Sequence, residues 1–326
     1  MSMRALSLEA GQVMEGPVSE VTARLPARRS RRLSRKIVAV LLAYALLLPS
    51  LAVLTLFTYA PVARVAWDSL HQRSSPRGPD TFSGLANYKA ILADAAFHKA
   101  ALNNLLYAVG SVVPSLILAL GLALALSQST RLTNALRTIF FLPVLIPLVA
   151  AASLFLFIFL PGVGLIDYYI GRFVTRTPNW LGDPDVALWS IVGLTIWKNA
   201  GYYMLFFLAG LQGVPDDAYE AAYLEGATPW QRLRHVTLPY LAPTLAFVAV
   251  IALLSVVTQV DHVFVLTKGG PSDSTNLLIF YIYQQAVENY DIAKASAATI
   301  LTLAALLAIT LGSLGTLRRA HGGEGA

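Results

Sequence analysis

The feature that most constrains this chain is a series of long apolar runs that contain no Lys, Arg, Asp or Glu. A helix needs about 20 apolar residues to cross the hydrocarbon core of a bilayer. Five runs reach that length: Ile37–Ala63, Ala100–Thr130, Thr138–Ile166, His235–Val260 and Ala295–Leu317. A sixth, Val186–Leu211, is interrupted only by Lys198. The pattern predicts an all-α integral membrane protein with six spanning helices, whose cores lie at residues 37–60, 103–127, 137–160, 187–211, 240–262 and 295–316.

Composition supports a chain that is surrounded mostly by lipid. Charged residues make up 13% of the sequence and hydrophobic residues 56%, whereas soluble domains carry about 25% charged residues. The excess of basic residues does not indicate nucleic acid, because eight of the 24 Lys and Arg precede the first apolar run. The absence of cysteine excludes disulfides and thiolate metal sites. The five histidines, at positions 71, 98, 235, 262 and 321, show no metal-ligand spacing, so no metal site is predicted.

The distribution of basic residues predicts the orientation. With six spans both termini share one side, and that side carries 14 of the Lys and Arg, against eight on the other side. The positive-inside rule therefore places both termini in the cytoplasm. The predicted division is a basic cytoplasmic tail at 1–36, a six-helix transmembrane domain at 37–317 with a cytoplasmic loop at 212–239, and a second tail at 318–326. The first tail is not a cleaved signal peptide, because the apolar run behind it exceeds the usual 7–15 residues.

Two outer segments are expected to form short helices near the membrane surface. Residues 87–92 have an amphipathic pattern, and Leu277–Asn289 is rich in Tyr and Gln. Several prolines fall inside the apolar runs, among them Pro114, Pro143 and Pro147. Spanning helices tolerate proline where neighbouring groups satisfy the freed backbone atoms.

The cytoplasmic loop before the fifth span has the pattern of two helices joined at a corner. Pro215 and Asp216 provide a helix start, and acidic residues follow in the first turn. Gly226 is expected to end this first helix. Thr228 is a suitable N-cap, and Pro229 suits the first position of a second helix that leads into the membrane. The loop is therefore predicted to place a short exposed helix on the cytoplasmic face, tied directly to a spanning helix.

Here a family resemblance appears. The loop contains Glu220-Ala221-Ala222, three residues, Gly226, nine residues, Val236, one residue and Leu238-Pro239. This resembles the Glu-Ala-Ala loop of binding-protein-dependent ABC importer permeases, with Val in place of the usual Ile. The resemblance extends over about residues 36–317. It includes signatures of the carbohydrate and glycerol-3-phosphate branch (MalF-like and UgpA-like permeases): Phe82–Tyr88, Trp197–Tyr202, Gly269–Pro271, and a stretch at Asp261–Gln284 that looks closest to the glycerol-3-phosphate members.

The resemblance implies a MetI/MalF-like type I importer fold in the bacterial inner membrane. It implies a permease subunit that imports a sugar or sugar-like solute, with glycerol-3-phosphate included, by alternating access. The implied partners are a second permease, a dimeric cytoplasmic ATPase and an extracytoplasmic solute-binding protein. ATP would be bound by the partner ATPase, and this chain would need no cofactor of its own. The residues implied to couple to the ATPase are Glu220, Ala221, Ala222, Gly226, Leu238 and Pro239, with Glu220 opposite a basic group. The sequence contains no Gly-x-x-x-x-Gly-Lys-Ser/Thr phosphate loop, which favours a chain that is not itself an ATPase.

Polar residues inside the spans are candidates for the substrate pathway, because burying them in lipid is costly. The pathway residues predicted from span four are Asn199 and Tyr202, beside Thr195 and Tyr203. Those predicted from span five are Ser255, Thr258, Gln259 and His262, which helical spacing places on one face. The alternative is that they bond between helices or to the partner permease. For Lys198, a structural or snorkelling role is favoured over neutralising a substrate phosphate.

Two other classes of function are alternatives. An ion-gradient-driven secondary transporter would use Asp261, His262 and Lys198 as coupling groups, but inverted repeats with broken helices are expected there and none is evident in the sequence. An integral membrane enzyme would need a convergent acid–base or metal cluster. An outer cluster of Gln284, Gln285, Glu288 and Asp291 is expected to be solvated or interfacial rather than a docking site for the binding protein.

Overall fold

The computed structural model describes residues 29–73, 80–174 and 177–322. Most of the described residues are helical. The helices are, in chain order, α1 (Arg29–Leu54), α2 (Ala60–Ser69), α3 (Ala86–Leu92), α4 (Ala95–Ala125), α5 (Arg131–Leu145), α6 (Leu148–Ile158), α7 (Leu165–Ile170), α8 (Ala187–Leu211), α9 (Asp216–Leu224), α10 (Pro229–Arg232), α11 (Leu238–Thr258), α12 (Asp261–Leu266), α13 (Leu278–Tyr283) and α14 (Ile292–Gly322). Short π-helical turns occupy Thr55–Tyr59, Leu233–Thr237 and Gln284–Glu288.

The predicted helical fold is confirmed in its main part, with one short exception. Two three-residue strands, β1 (His71–Arg73) and β2 (Asp80–Phe82), pair antiparallel, with His71 opposite Phe82. The Asn87 side chain, buried in α3, donates to the Ser69 and His71 carbonyls at 2.9 and 3.0 Å. A side chain outside the hairpin thus supports its first strand, and the short polar segments gave no strand pattern of their own.

The chain divides into two compact units at Ala60. In the first unit, the side chains described from Val40 onward are all exposed. The second unit is built around α8, which has fifteen buried residues, and α4, α5 and α11 all pack against it. The predicted tail at 1–36 lies partly outside the described residues, and its last part, from Arg29, is helical. The C-terminal tail from 318 is helical as far as Gly322.

Among the described residues, four helices are long and apolar enough to cross a membrane: Val40–Ser69, Ala95–Ala125, Pro229–Leu266 and Ile292–Gly312. The pair α5 and α6 would make a fifth span, but the two helices meet at an angle of 99°. The continuous third helix predicted over 137–160 is therefore wrong. Ile146 and Pro147 are extended, and Pro147 has no N–H with which to continue the α5 hydrogen-bond ladder.

The two short helices predicted at 87–92 and from Leu277 are confirmed as helices. The predicted amphipathic segment forms α3, and the segment from Leu277 forms α13 and the π-helical turn that follows it. On the same side of the second unit, Lys294 at the start of α14 forms an ion pair with Asp94, the N-cap of α4, at 2.5 Å. The Tyr281 hydroxyl donates to the same carboxylate at 2.7 Å. Three elements therefore meet at one carboxylate.

Candidate functional site

The exposed helix α9 carries the Glu-Ala-Ala residues and ends in a Schellman motif. The Ala227 N–H donates to the Ala222 carbonyl at 2.9 Å, and the Gly226 N–H donates to the Tyr223 carbonyl at 3.0 Å. These are the 6→1 and 5→2 bonds that close a helix through a left-handed residue. Gly226 is that residue, with φ of +77° and no atom within 4 Å of the position a Cβ would take. Glycine is therefore required here by the backbone angle and not by lack of space.

A new helix begins two residues after this corner. Thr228 is its N-cap and forms a capping box with Gln231: the Gln231 N–H donates to the Thr228 hydroxyl, and the Thr228 N–H donates to the Gln231 side-chain oxygen. Pro229 occupies the first position, as predicted. The helical path continues through the π-helical turn at Leu233–Thr237 into α11, which starts at Leu238 and Pro239. We name Asp216–Pro239 the coupling segment.

The coupling segment is braced against itself on one side. The Tyr219 hydroxyl lies 3.0 Å from the Thr237 hydroxyl, which joins α9 to the turn that precedes α11. Thr237 is buried, and so are Val214, which precedes α9, and Leu241, which lies in the first turn of α11. These contacts therefore tie α9 to the turn that leads into α11.

The coupling segment also carries large apolar side chains that are exposed. Tyr223, Leu224 and Trp230 are 70%, 85% and 67% exposed, and Glu220 lies among them. A groove of about 340 Å³ is lined by Tyr219, Glu220, Tyr223, Leu224 and Arg232. Of the residues that line this groove, only Glu220 was predicted from the sequence; Tyr219, Tyr223, Leu224 and Arg232 were not. Large apolar residues in a loop predicted to be cytoplasmic were the available signal, because exposed apolar patches mark interaction surfaces.

The predicted pathway residues of span four lie on α8 and differ in burial. Asn199 is buried, and Tyr202 is half-buried with its ring edge-on to Phe206 at 5.0 Å. Their neighbour Thr195 is buried and paired with the Tyr107 hydroxyl of α4 at 2.8 Å. Tyr203 is buried in the core below them. Thr195 therefore bonds between helices, which is the alternative that the sequence left open for this group.

The four predicted pathway residues of span five do not share one helical face. Helix α11 ends at Thr258, and Gln259 is extended, so His262 belongs to the separate helix α12. Ser255 is half-buried and contacts the Tyr203 side chain. Thr258 is exposed and donates to the Leu254 carbonyl of its own helix at 2.8 Å. The spacing argument failed because it assumed an unbroken helix.

His262 is fully buried beside Tyr107, with ring centroids 5.4 Å apart. Within the part of the chain that the structure describes, neither ring nitrogen has a hydrogen-bond partner.

Of the outer cluster, Glu288 and Asp291 are exposed, as expected for a solvated face, whereas Gln285 is buried. The Gln284 side-chain oxygen accepts a bond from Asn276 at 2.9 Å.

Lys198 occupies the interior of the second unit. Its side chain leaves α8 and donates to the carbonyls of Pro143 at 3.2 Å, Val144 at 3.4 Å and Ile146 at 2.5 Å. The residue is 6% exposed. This position agrees with the structural role that the sequence favoured over contact with a substrate phosphate.

The Asp94 and Asp167 carboxylates have pKa values below the ordinary range. Partial burial alone would raise the pKa of Asp94, but hydrogen bonds from Lys294, Tyr281 and the Ala96 N–H outweigh burial and lower it. The pKa of Asp167 is lowered by the hydrogen bond from the Gly162 N–H and then by that from the Trp180 indole. Each carboxylate therefore joins separate segments of the chain. Among the described residues, no three His, Asp or Glu side chains lie close enough to hold a metal ion.

Known proteins resemble this chain over most of its length. The family described as binding-protein-dependent transport system inner membrane component matches residues 115–318. The probable ABC transporter permease protein YurN of Bacillus subtilis is 35% identical over 82% of this chain and 93% of its own. The trehalose/maltose transport system permease protein MalF of Thermococcus litoralis is 32% identical over 83% of this chain and 91% of its own.

The fold is also that of a solved importer. A chain in the crystal structure of a bacterial ABC transporter involved in the import of the acidic polysaccharide alginate superposes with a TM-score of 0.76, at 25% identity, over 88% of this chain and 99% of that one. The family match covers the coupling segment, α5, α8 and α11 in full and the last part of α4. It supports the importer permease over the secondary transporter and the membrane enzyme. The chain therefore belongs to the family of binding-protein-dependent transport system inner membrane components, and it is a permease subunit of an ABC importer.

Proposed function

We propose that this permease imports a sugar or a sugar-like solute, and that Asp216–Pro239 receives the movement of a separate ATPase dimer. The observation that carries the proposal is the continuity of the coupling segment. An exposed helix is joined through the Gly226 corner and the Thr228 cap to α11, one of the apolar helices long enough to span. A force on α9 is thus transmitted to the membrane interior through hydrogen-bonded backbone.

The contact with the ATPase is assigned to the exposed apolar side of α9 and α10. Tyr223, Leu224 and Trp230 supply apolar area, and Glu220 supplies a negative charge. Aromatic anchors surrounded by polar groups are typical of residues that dominate interface energies. The small side chains of Ala221 and Ala222 permit close approach, and Glu220 pairs with a basic group of the ATPase.

The proposed topology has six spans with both termini in the cytoplasm. Four apolar helices and the bent pair α5–α6 account for five. Helix α8 is proposed as the sixth: its 25 residues reach roughly 37 Å at 1.5 Å per residue. Its mean hydropathy is lowered by buried polar residues such as Lys198 and Asn199, which face other helices rather than lipid.

The cargo is assigned from the relatives and from the polar spans. The relative from Thermococcus litoralis is a trehalose/maltose permease, and the structural neighbour belongs to an alginate importer. Both solutes are saccharides, which supports a hydroxylated cargo. Asn199, Tyr202, Ser255, Thr258, Gln259 and His262 remain the proposed pathway residues, and glycerol-3-phosphate is the alternative cargo. A second permease and an extracytoplasmic binding protein complete the proposed complex, and ATP is bound by the ATPase partner.

Two measurements test these proposals separately. The binding protein encoded beside this chain is screened by thermal shift against sugars, polyols and glycerol phosphates; stabilisation by glycerol phosphates alone would refute the sugar assignment. For coupling, the tagged permease is co-expressed with its ATPase, and co-purification is compared for the wild type, Glu220→Lys and the matched control Glu225→Lys. We expect the ATPase to be lost only with Glu220→Lys. Equal recovery with all three would refute the assigned contact.

A further inference from the structure

The Trp197–Gly201 stretch of α8 contacts both halves of the bent pair α5–α6. The Lys198 ammonium group reaches three carbonyls at the end of α5. The neighbouring Trp197 ring lies against the Phe155 ring of α6, with centroids 5.1 Å apart. One turn further along α8, a Cβ built on Gly201 would overlap the Phe140 carbonyl oxygen of α5. The stretch is therefore shaped to hold a bent helix.

The end of α5 needs such a partner. Helices leave their last carbonyls without intrahelical donors, and here Pro147 cannot supply the N–H that would have bonded to Pro143. Aligned peptide dipoles also concentrate negative charge at a helix C-terminus. In a spanning segment no bulk water is present to satisfy these groups. A buried lysine supplies both the donors and the compensating positive charge.

All the donors of Lys198 are used in this way. A lysine ammonium has three N–H donors and no acceptor, and three carbonyl oxygens lie within hydrogen-bond distance. No donor is left for a substrate phosphate or hydroxyl. The residue is thus occupied by the protein's own backbone.

The second half of the bent segment leads to another interruption. Helix α6 packs against α12, which begins just after the extended residue Gln259. Irregular backbone at membrane depth is tolerated only where it is buried in protein or lines a cavity, and transporters use such breaks at their pathways. Movement of α6 relative to α5 would therefore displace the interruption at Gln259.

We propose that Lys198 is a positioning residue for transport: it fixes the angle between α5 and α6, so that α5 moves with α8 as one body while the pathway changes its access. This rests on the proposed function only where uptake is concerned. Lys198 acts through the backbone of α5 and does not touch the cargo. Its loss should slow turnover and leave recognition of the loaded binding protein unchanged.

The test uses the absence of cysteine from the chain. Cysteines are placed at Ala135 of α5 and Phe157 of α6, both exposed, and labelled with nitroxides in the full-length permease in lipid nanodiscs. Pulsed electron resonance then reports the distance across the bend. We expect one narrow distribution in the wild type and in the control Lys89→Met, which removes an exposed lysine. In Lys198→Met, the distribution should broaden or shift by several ångströms.

Uptake is measured in proteoliposomes that contain the complete importer. For Lys198→Met we expect the maximal rate to fall about tenfold, with the apparent KM for the loaded binding protein unchanged within about twofold. Lys198→Gln retains two N–H donors without the charge, and we expect intermediate values of both distance and rate. If Lys198→Met is not recovered, Lys198→Gln decides the test.

Two results would overturn the proposal: an unchanged distance distribution, or an unchanged maximal rate, whether or not the KM for the loaded binding protein is raised. If the wild-type importer shows no sugar uptake, the proposed cargo fails while the distance measurement still tests Lys198.

Discussion

The corner at Gly226 gives a graded prediction for the coupling segment. Because φ is +77° and no atom lies within 4 Å of the position that a Cβ would take, the cost of substitution should follow backbone preference and not side-chain size. Asn tolerates the left-handed region, whereas other L-residues pay roughly 1–2 kcal/mol there. We therefore expect Gly226→Asn to behave almost as wild type and Gly226→Ala to destabilise the corner by about 1 kcal/mol. Gly226→Val should cost more, because β-branched residues are genuine outliers at positive φ.

Gly226→Pro is the extreme case. Proline fixes φ near −65° and removes the N–H that donates to the Tyr223 carbonyl. The end of α9 cannot then close as it does in the wild type. We expect this variant to insert normally and to lose uptake.

The assay for the series is hydrogen exchange at the Ala227 amide, which the Schellman bond to Ala222 protects. A loss of about 1 kcal/mol corresponds to about fivefold faster exchange. Gly213→Ala is the matched control, since Gly213 lies on the same loop without positive φ and a Cβ added to it would meet only one atom, at 3.4 Å. ATP-driven uptake should follow the same order as exchange. If exchange rates followed side-chain volume, or if Asn and Val behaved alike, the assignment of the corner to backbone conformation would be refuted.

Three further changes test other contacts. Glu220→Lys should abolish uptake while the subunit still inserts and Glu225→Lys retains uptake; transport by the first variant would contradict the assigned contact. Tyr219→Phe and Thr237→Val each remove the 3.0 Å hydrogen bond between α9 and the turn before α11, so each should lower the free energy of unfolding by about 1 kcal/mol. In thermal unfolding, the double variant should be little less stable than either single variant. Full additivity would show that the two hydroxyls do not interact. The pKa of Asp94 is lowered in the folded state, so its stabilisation is present above the unfolded value of about 3.9 and is lost as pH falls through the lower native pKa. Asp94→Asn should therefore lower the melting temperature at pH 7 and reduce its acid dependence, with Asp185→Asn as the exposed control, and an undiminished acid dependence would exclude Asp94 as its source.

Local features of the coupling segment were predictable because their causes are local. The glycine corner, the Thr228 cap and Pro229 at the first helical position follow from backbone preferences of single residues, and the structure has all three. The exposed patch at Tyr223, Leu224 and Trp230 was not predicted. Whether an apolar residue in a short helix faces the protein or the solvent depends on what packs beside that helix.

Features inside the spans were predicted less well. A run of apolar residues has the same pattern in a straight helix and in a broken one. The bend at Ile146–Pro147 and the interruption at Gln259 were therefore not predicted from the sequence. Pro147 stands out within its apolar run, but proline alone does not fix an angle of 99°. The angle depends on α8, where Gly201 admits the α5 backbone and Lys198 satisfies its carbonyls.

The sequence by itself determined that this chain is a helical membrane protein, and the spacing from Glu220 to Pro239 indicated which family it belongs to. Both depend on features readable along the chain: hydropathy over about 20 residues, and backbone requirements at a few fixed positions. The tertiary structure decided which atoms surround each polar group in the spans. Thr195 pairs with Tyr107, Lys198 is bonded to three carbonyls, and His262 is enclosed on a separate short helix. These outcomes depend on partners far away along the chain, because a buried polar group takes its role from the atoms that surround it.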